Sequence, residues 1–215
     1  MNFTPSMLAH LAQAQAHDPE LRRPSMSGPM QRYREMTIDE MLLENRVVFL
    51  IGEIHHGSAM GVVMRLLYLE SQKPGQDISL YINSPGGSVD DTLAMIDTMA
   101  HISSPVSTYC IGQAMSGGAL TLAAGTKGKR FCLPHAKVMI HQPLGGIGGQ
   151  ASDIQIQAEE ILKTKDELNK LLAQLTGQSY EKICEDVERD KFFSADEAKA
   201  YGLVDEVVRP KEKKA

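Results

Sequence analysis

Along the chain, two kinds of apolar run take turns. The first is a short continuous block rich in β-branched or aromatic residues: Arg46-Val47-Val48-Phe49-Leu50-Ile51, Asp77 to Asn83, Val106 to Ile111, and Lys137-Val138-Met139-Ile140-His141. Blocks of this length and composition predict buried strands. The second kind is longer, with apolar residues at helical spacing. Ser58 to Glu70 carries Val62, Val63, Leu66, Leu67 and Leu69, and Asp90 to His101 carries Leu93, Ile96 and Met99. A capped helix is predicted over Thr37–Leu43, and a long one from about Ser152 to Leu175. Shorter helices are predicted over Leu120–Ala124, Tyr180–Glu188 and Ala195–Tyr201. Pro74-Gly75 and Lys127-Gly128-Lys129-Arg130 punctuate the pattern, and Phe131–Leu133 and Leu203–Val208 complete the predicted strands. Strand and helix alternate throughout, which implies an α/β domain with mainly parallel, right-handed connections. No internal repeat is visible.

Residues 1–30 break the pattern. Ala, Gln, His, Pro, Ser and Met dominate there, and Arg22-Arg23-Pro24-Ser25-Met26-Ser27-Gly28-Pro29 reads as a linker. Pro5 to His17 is compatible with a short helix, and the whole segment is expected to be flexible or processed. The expected organisation is therefore a variable segment over 1–30, one domain over 31–208 and a charged tail over 209–215.

Bulk composition narrows the class. A chain of 215 residues with 42% hydrophobic and 23% charged residues suits a globular protein with a substantial core. A net charge of −5 argues against nucleic-acid binding. No apolar run approaches the roughly 20 residues of a membrane span, and the first 20 residues lack a secretory signal's apolar core. Cys110, Cys132 and Cys184 lack paired spacing, which points to a reducing compartment, with cytoplasm the expected location. Cys110 and Cys132 read as small core residues.

The candidate chemistry centres on Gly112-Gln113-Ala114-Met115-Ser116-Gly117-Gly118-Ala119, between a predicted strand and a helix. A strand–turn–helix of small residues can hold a hydroxyl at a helix N-terminus, where orphan N–H groups favour developing negative charge. Gly117 lets a carbonyl approach, and its N–H is a natural oxyanion donor. A Gly-rich turn with an N-capping serine fits the same residues. Gly-x-Ser-x-Gly of the α/β-hydrolases is not matched, because position 114 is alanine. His141 ends an apolar strand, the place where functional side chains of parallel sheets gather, although a core histidine fits too. Asp190 lies between predicted helices beside Phe192-Phe193, a pair that could bury it, and could equally cap the following helix; spacing does not select it from other acids. Gly146-Ile147-Gly148-Gly149-Gln150-Ala151 imitates a dinucleotide fingerprint, but no second strand with an acidic end follows at the right distance. No Walker A, His-Glu-x-x-His or Cys-x-x-Cys sequence occurs, so no metal site is expected, and His55-His56 reads as a turn pair.

Five runs carry a resemblance. They are Tyr81-Ile82-Asn83-Ser84-Pro85-Gly86-Gly87, Gly112 to Ser116, Lys127 to Pro134, Met139 to Gly146, and Glu188-Arg189-Asp190-Lys191-Phe192. In this order, over about Tyr33 to Val208, the chain resembles the proteolytic subunits of the Clp protease family, which are self-compartmentalised serine peptidases. The resemblance implies a Ser116–His141–Asp190 triad, with Gly87 and Gly117 N–H groups forming the oxyanion hole. It implies a crotonase-like spiral of ββα units, and a handle built from the long helix and the Leu144–Gln150 segment. It further implies two stacked heptameric rings, with Glu188 and Arg189 in ring-to-ring contact. An AAA+ ATPase would feed in unfolded polypeptide, docking at Tyr81, Phe131 and Leu133; that ATPase would use the ATP, and this subunit needs no cofactor.

Three departures accompany the resemblance. The family commonly has Met after the serine, where this chain has Gly117, which keeps the N–H but removes a side chain lining the substrate site. The N-terminal segment lacks the usual axial-loop sequence. The docking pocket has Ser79 and His101 where aromatics are frequent, so the partner is expected to bind differently or less tightly. Three rival functions compete with the peptidase: a weakly active or structural subunit in mixed rings, an acyl-CoA enzyme of the crotonase type, and a non-enzymatic binding scaffold.

Overall fold

The computed structural model describes residues 36–146 and 148–209. The expectations for residues 1–30, for the tail from 210 and for Ile147 lie outside the described residues.

The apolar blocks form the strands they predict. β1 (Val47–Ile51), β2 (Ile78–Ser84), β3 (Val106–Met115), β4 (Arg130–Cys132) and β7 (Glu206–Val207) lie side by side in that order, all parallel. Burial alternates strictly along β2, with Ile78, Leu80 and Ile82 fully enclosed, as the two-residue side-chain period requires. The helices are α1 (Ile38–Glu44), α2 (His56–Gln72), α3 (Val89–His101), α4 (Gly117–Ala123), α5 (Ala151–Thr176), α6 (Tyr180–Asp186) and α7 (Ala195–Tyr201). Their starts carry the expected chemistry. Thr37 and Glu40 form a reciprocal capping box on α1, and Ser88 caps α3 ahead of Asp90 and Asp91, which suit the positive end of the helix. Val62, Leu66 and Leu69 of α2 join Met95 and Met99 of α3 in the core formed with the strands.

Two departures from the predicted elements position the site. First, β3 does not stop at Ile111. Ile82 pairs with Cys110 and Ser84 with Ala114, so residues 111–113 bulge opposite Asn83, with Gly112 at a φ of 89° that few other residues adopt. Below the bulge β3 pairs with β4; above it, Gln113, Ala114 and Met115 pair with β5 (Lys137–Ile140). Second, Lys191–Phe193 is a strand, β6, antiparallel to β5. It was expected only as a segment leading into α7; a three-residue strand is too short to reveal itself by periodicity. At the other end of the chain, the strand expected over Leu203–Val208 shrinks to Glu206–Val207, while Leu203 and Val204 are buried in the core.

α5 is 26 residues long, about 39 Å at 1.5 Å per residue. No residue from Ala151 to Glu167 is buried, and Ile156 and Leu162 lie exposed; only Leu168, Asn169 and Leu172 enter the interior. The elements that directly follow α5 are α6 and the antiparallel strand β6, not a parallel strand with an acidic end. The dinucleotide lookalike therefore lacks its βαβ context.

Candidate active site

One strand, β5, gathers the candidate residues. β3 pairs with it through Met115 and Met139, so the next residue, Ser116, leaves the sheet beside β5. β6 pairs with it through Ile140 and Lys191, so the adjoining residues His141 and Asp190 face each other across the antiparallel ladder. His141 Nε2 lies 2.9 Å from Ser116 Oγ, and His141 Nδ1 lies 3.0 Å from Asp190 Oδ1. An ionised carboxylate only accepts, so this contact places the histidine proton on Nδ1 and leaves Nε2 free to accept from the serine hydroxyl. The His141 side chain is 15% exposed, whereas that of Asp190 is 59% exposed, so the neighbouring Phe pair does not bury it; Phe192 itself faces outward.

Ser116 has φ 53° and ψ −122°, a backbone region that non-glycine residues rarely occupy and that costs of order 1–3 kcal/mol. Its surroundings enforce it. The Ser116 N–H donates to Met139 C=O at 2.8 Å, and its own C=O accepts from Ala119 and Leu120, the first turn of α4. A sharp strand-to-helix turn thus presents Oγ without the glycine two residues earlier that the hydrolase elbow uses.

The two residues expected to supply oxyanion donors, Gly87 and Gly117, both line the pocket at Ser116. Gly87 forms a parallel bridge with Ile54 in which Gly86 C=O accepts from Ile54 N–H and Ser88 N–H donates to Ile54 C=O. Gly87's own N–H is left outside this ladder. At φ 155°, a Cβ on Gly87 would fall 2.1 Å from Ile54 O, so no other residue fits this backbone. Gly117 opens α4, so its N–H is one of the donors that a helix start leaves without an internal partner. A Cβ on Gly117 would fall 2.3 Å from Thr92 Oγ1.

Gly87, Ser116, Gly117 and His141 border a pocket enclosing about 510 Å³ of empty space, part of it open to solvent. Val89, Leu120, Ile140, Leu168, Leu172 and Val187 make it apolar, with Thr92 and Asn169 as polar lining. Sequence reasoning missed both: Thr92 is one of several polar residues at the start of α3, and Asn169 lies within a mostly polar helix.

The segment bearing Asp190 is anchored by Asp186, whose carboxylate accepts from Lys182, Lys191 and Tyr201. Burial pushes its carboxyl up, but the hydrogen bonds from Lys191, Tyr201 and Lys182 outweigh that and hold it at about 2. Glu188, expected between rings, pairs within the chain with Lys165 at 3.3 Å, and its C=O accepts from the Gln142 side chain. Arg189 is exposed.

Tyr81 and Phe131 belong to a row of rings across the sheet that sequence reasoning saw only in part. Phe49 stacks on Tyr81 at 5.5 Å, Tyr81 on Tyr109 at 4.7 Å, and Tyr109 on Phe131 at 4.8 Å. The register explains it, because these four residues are cross-strand partners on β1 to β4. Leu133, two residues beyond Phe131, is 38% exposed. His55 caps α2, with Nδ1 accepting from Gly57 and Ser58, and the exposed His56 meets Asp91 at 3.2 Å. Cys110 and Cys132 are fully buried neighbours in register, as expected of core residues.

Comparison with known proteins adds two findings. A family model described as Clp protease matches residues 30–211. The curated protein ATP-dependent Clp protease proteolytic subunit 1 of Rhodopirellula baltica is 53% identical over 195 residues, covering 91% of this chain and 86% of that protein. No helix among the described residues is long and apolar enough to cross a membrane.

Proposed function

The chain belongs to the Clp protease family, and from that premise we propose that it cleaves peptide bonds with Ser116 as nucleophile, His141 as general base and Asp190 as the acid that orients the imidazole. The observation that carries this reading is the continuous hydrogen-bonded path Ser116 Oγ–His141 Nε2, His141 Nδ1–Asp190 Oδ1 at 2.9 and 3.0 Å. Its mixed α/β architecture is consistent with the Clp-type fold.

The chemistry follows from the geometry. A serine hydroxyl is a weak nucleophile until a neighbouring base removes its proton. As Oγ attacks the scissile carbonyl, His141 Nε2 takes that proton, and the imidazolium is stabilised by Asp190. Negative charge grows on the carbonyl oxygen, where the Gly87 and Gly117 N–H groups donate to it. His141 then returns the proton to the departing amine, leaving an acyl group on Ser116. Water, activated by the same histidine, releases the acid and restores the serine. Every group used is a side chain or backbone N–H of this chain, so the reading calls for no cofactor.

The family implies an oligomeric protease that works with Clp ATPases. On this reading two heptameric rings stack through the unburied length of α5 and through Arg189, and the ATPase docks on the face of Tyr81, Phe131 and Leu133. Its substrates are unfolded polypeptides, and the cytoplasm is its place of work.

The test is labelling by a fluorophosphonate, mapped by mass spectrometry, beside assays with peptides and with acyl-CoA thioesters. Modification at Ser116 together with peptide cleavage is expected. An unlabelled Ser116 in an assembled protein supports the structural-subunit reading instead, and turnover of thioesters but not peptides supports the crotonase-type enzyme.

A further inference from the structure

The absence of a side chain at position 117 leaves open what bounds the pocket beside the nucleophile. The direction a side chain would take from Gly117 answers this. Its Cβ would meet Thr92 Oγ1 at 2.3 Å, Thr92 Cβ at 3.3 Å and Ile54 Cδ1 at 3.2 Å. The space is therefore already filled, by Thr92 of α3 with Ile54 beside it.

Thr92 cannot readily vacate it. The residue is 1% exposed. Its Oγ1 donates to Ser88 C=O at 2.7 Å, and its N–H donates to the same oxygen at 3.1 Å. Ser88 is itself pinned by its N–H to Ile54 C=O at 2.8 Å and directly follows Gly87. Rotating Thr92 away breaks the hydroxyl bond and leaves a buried donor without a partner. Since that hydroxyl proton is spent on Ser88, Thr92 offers a substrate no donor, and the wall is sterically defined.

We propose that Thr92 is a specificity-determining residue: it forms the wall of the pocket for the side chain preceding the cut, and positions 92 and 117 are coupled so that a side chain at 117 requires the loss of the one at 92. This rests on the peptidase reading. The lining by Val89, Leu120, Leu168 and Leu172 makes the ligand an apolar side chain. Thr92 limits its width at the end nearest the oxyanion donors.

Four proteins test the inference: wild type, Gly117→Ala, Thr92→Gly, and the double variant. Each is assembled, melted thermally, and assayed on peptides with Ala, Val, Leu, Met or Phe before the cut. Gly117→Ala alone is expected to lower the melting temperature and reduce kcat/KM on the order of 100-fold through misplacement of the hole. In the Thr92→Gly background the same alanine is expected to cost little in either measurement. Thr92→Gly alone is expected to raise the ratio of kcat/KM for Phe over Leu by about tenfold or more, the scale on which pocket volume discriminates. Equal penalties for Gly117→Ala in both backgrounds overturn the coupling. An active Thr92→Gly protein with an unchanged preference overturns the wall assignment while leaving the peptidase intact. A folded wild-type protein that cleaves none of the series overturns the peptidase reading, and the wall assignment with it.

Discussion

Tyr201 of α7 donates its hydroxyl to Asp186 at 2.7 Å, joining the end of α6 to the helix that follows β6. The same carboxylate holds Lys182 of α6 and Lys191 of β6. Asp190 lies between these anchored elements, so its position opposite His141 depends on a carboxylate that takes no part in the chemistry.

Acid should expose this dependence. In the folded protein Asp186 titrates at about 2, below its ordinary value of 3.8. A depressed carboxylate contributes stability that is complete above the unfolded value and is lost as pH falls through the folded one. Asp186→Asn is therefore expected to melt below wild type at neutral pH, with the gap closing between pH 3.8 and about 2. Thermal melts across that range check it; a gap independent of pH counts against Asp186 as the titrating anchor.

The strained serine yields a second prediction. Ser116→Ala should reduce turnover on the order of a million-fold, as in well-studied serine proteases. Ser116→Gly should be equally inactive yet more stable than Ser116→Ala by about 1 kcal/mol, because glycine accepts φ 53° without penalty. Denaturant titration of the two variants decides it, and identical stabilities would remove the case for strain at Ser116.

Gly87→Ala introduces a Cβ 2.1 Å from Ile54 O. The bridge must open and carry the Gly87 N–H away from Ser116. Losing one oxyanion donor costs about 100- to 1,000-fold in kcat. Steady-state kinetics on short peptides should show that loss while fluorophosphonate still modifies Ser116, though more slowly. Unchanged kcat in the folded variant would take Gly87 out of the hole.

Arg46 tests the fold apart from the site. It is 7% exposed and donates to Asp77, Leu69 and Gln76 carbonyls and to the Ser104 hydroxyl. Arg46→Ala leaves these buried acceptors unmatched, and about 3 kcal/mol or more of stability should go. Cleavage per active site should stay near wild type under conditions where the variant is folded. Urea unfolding measures the first, active-site titration the second.

The proposed ring contact can be tested at Arg189, because Glu188 already has Lys165 as a partner within the chain. Arg189→Ala is expected to give single or loosened rings with weak peptidase activity and an intact triad. Analytical ultracentrifugation beside a peptide assay checks this. Double rings at full activity would reduce Arg189 to a solvated charge worth about 0–1 kcal/mol.

The strands that build the core were legible because continuous apolar blocks at strand length admit few alternatives. His141 was legible as the polar end of such a block, and Ser116 as the hydroxyl in a small-residue turn between a predicted strand and a helix. Asp190 was not selectable from its residues alone. What singles it out is the antiparallel register of β6, which sets Lys191 against Ile140, and that pairing joins segments about 50 residues apart. The bulge at Gly112 was hidden for a similar reason. A glycine before the Ser116 turn reads as the strand's end, whereas pairing with β5 carries the strand four residues further. Thr92 acquires its meaning only from a glycine 25 residues away in sequence, across the interface of α3 and α4.

The chain contains no tryptophan. Its near-ultraviolet spectrum therefore belongs to tyrosine, with phenylalanine beneath it. Tyr81 and Tyr109 lie face to face at 4.7 Å and 13°, between Phe49 and Phe131. Two phenols at that separation couple their excitations, so their circular dichroism carries a contribution set by the angle between them. The sheet face proposed to receive the ATPase thus carries a built-in chromophore pair, and a partner settling on Tyr81 should announce itself optically without any added dye.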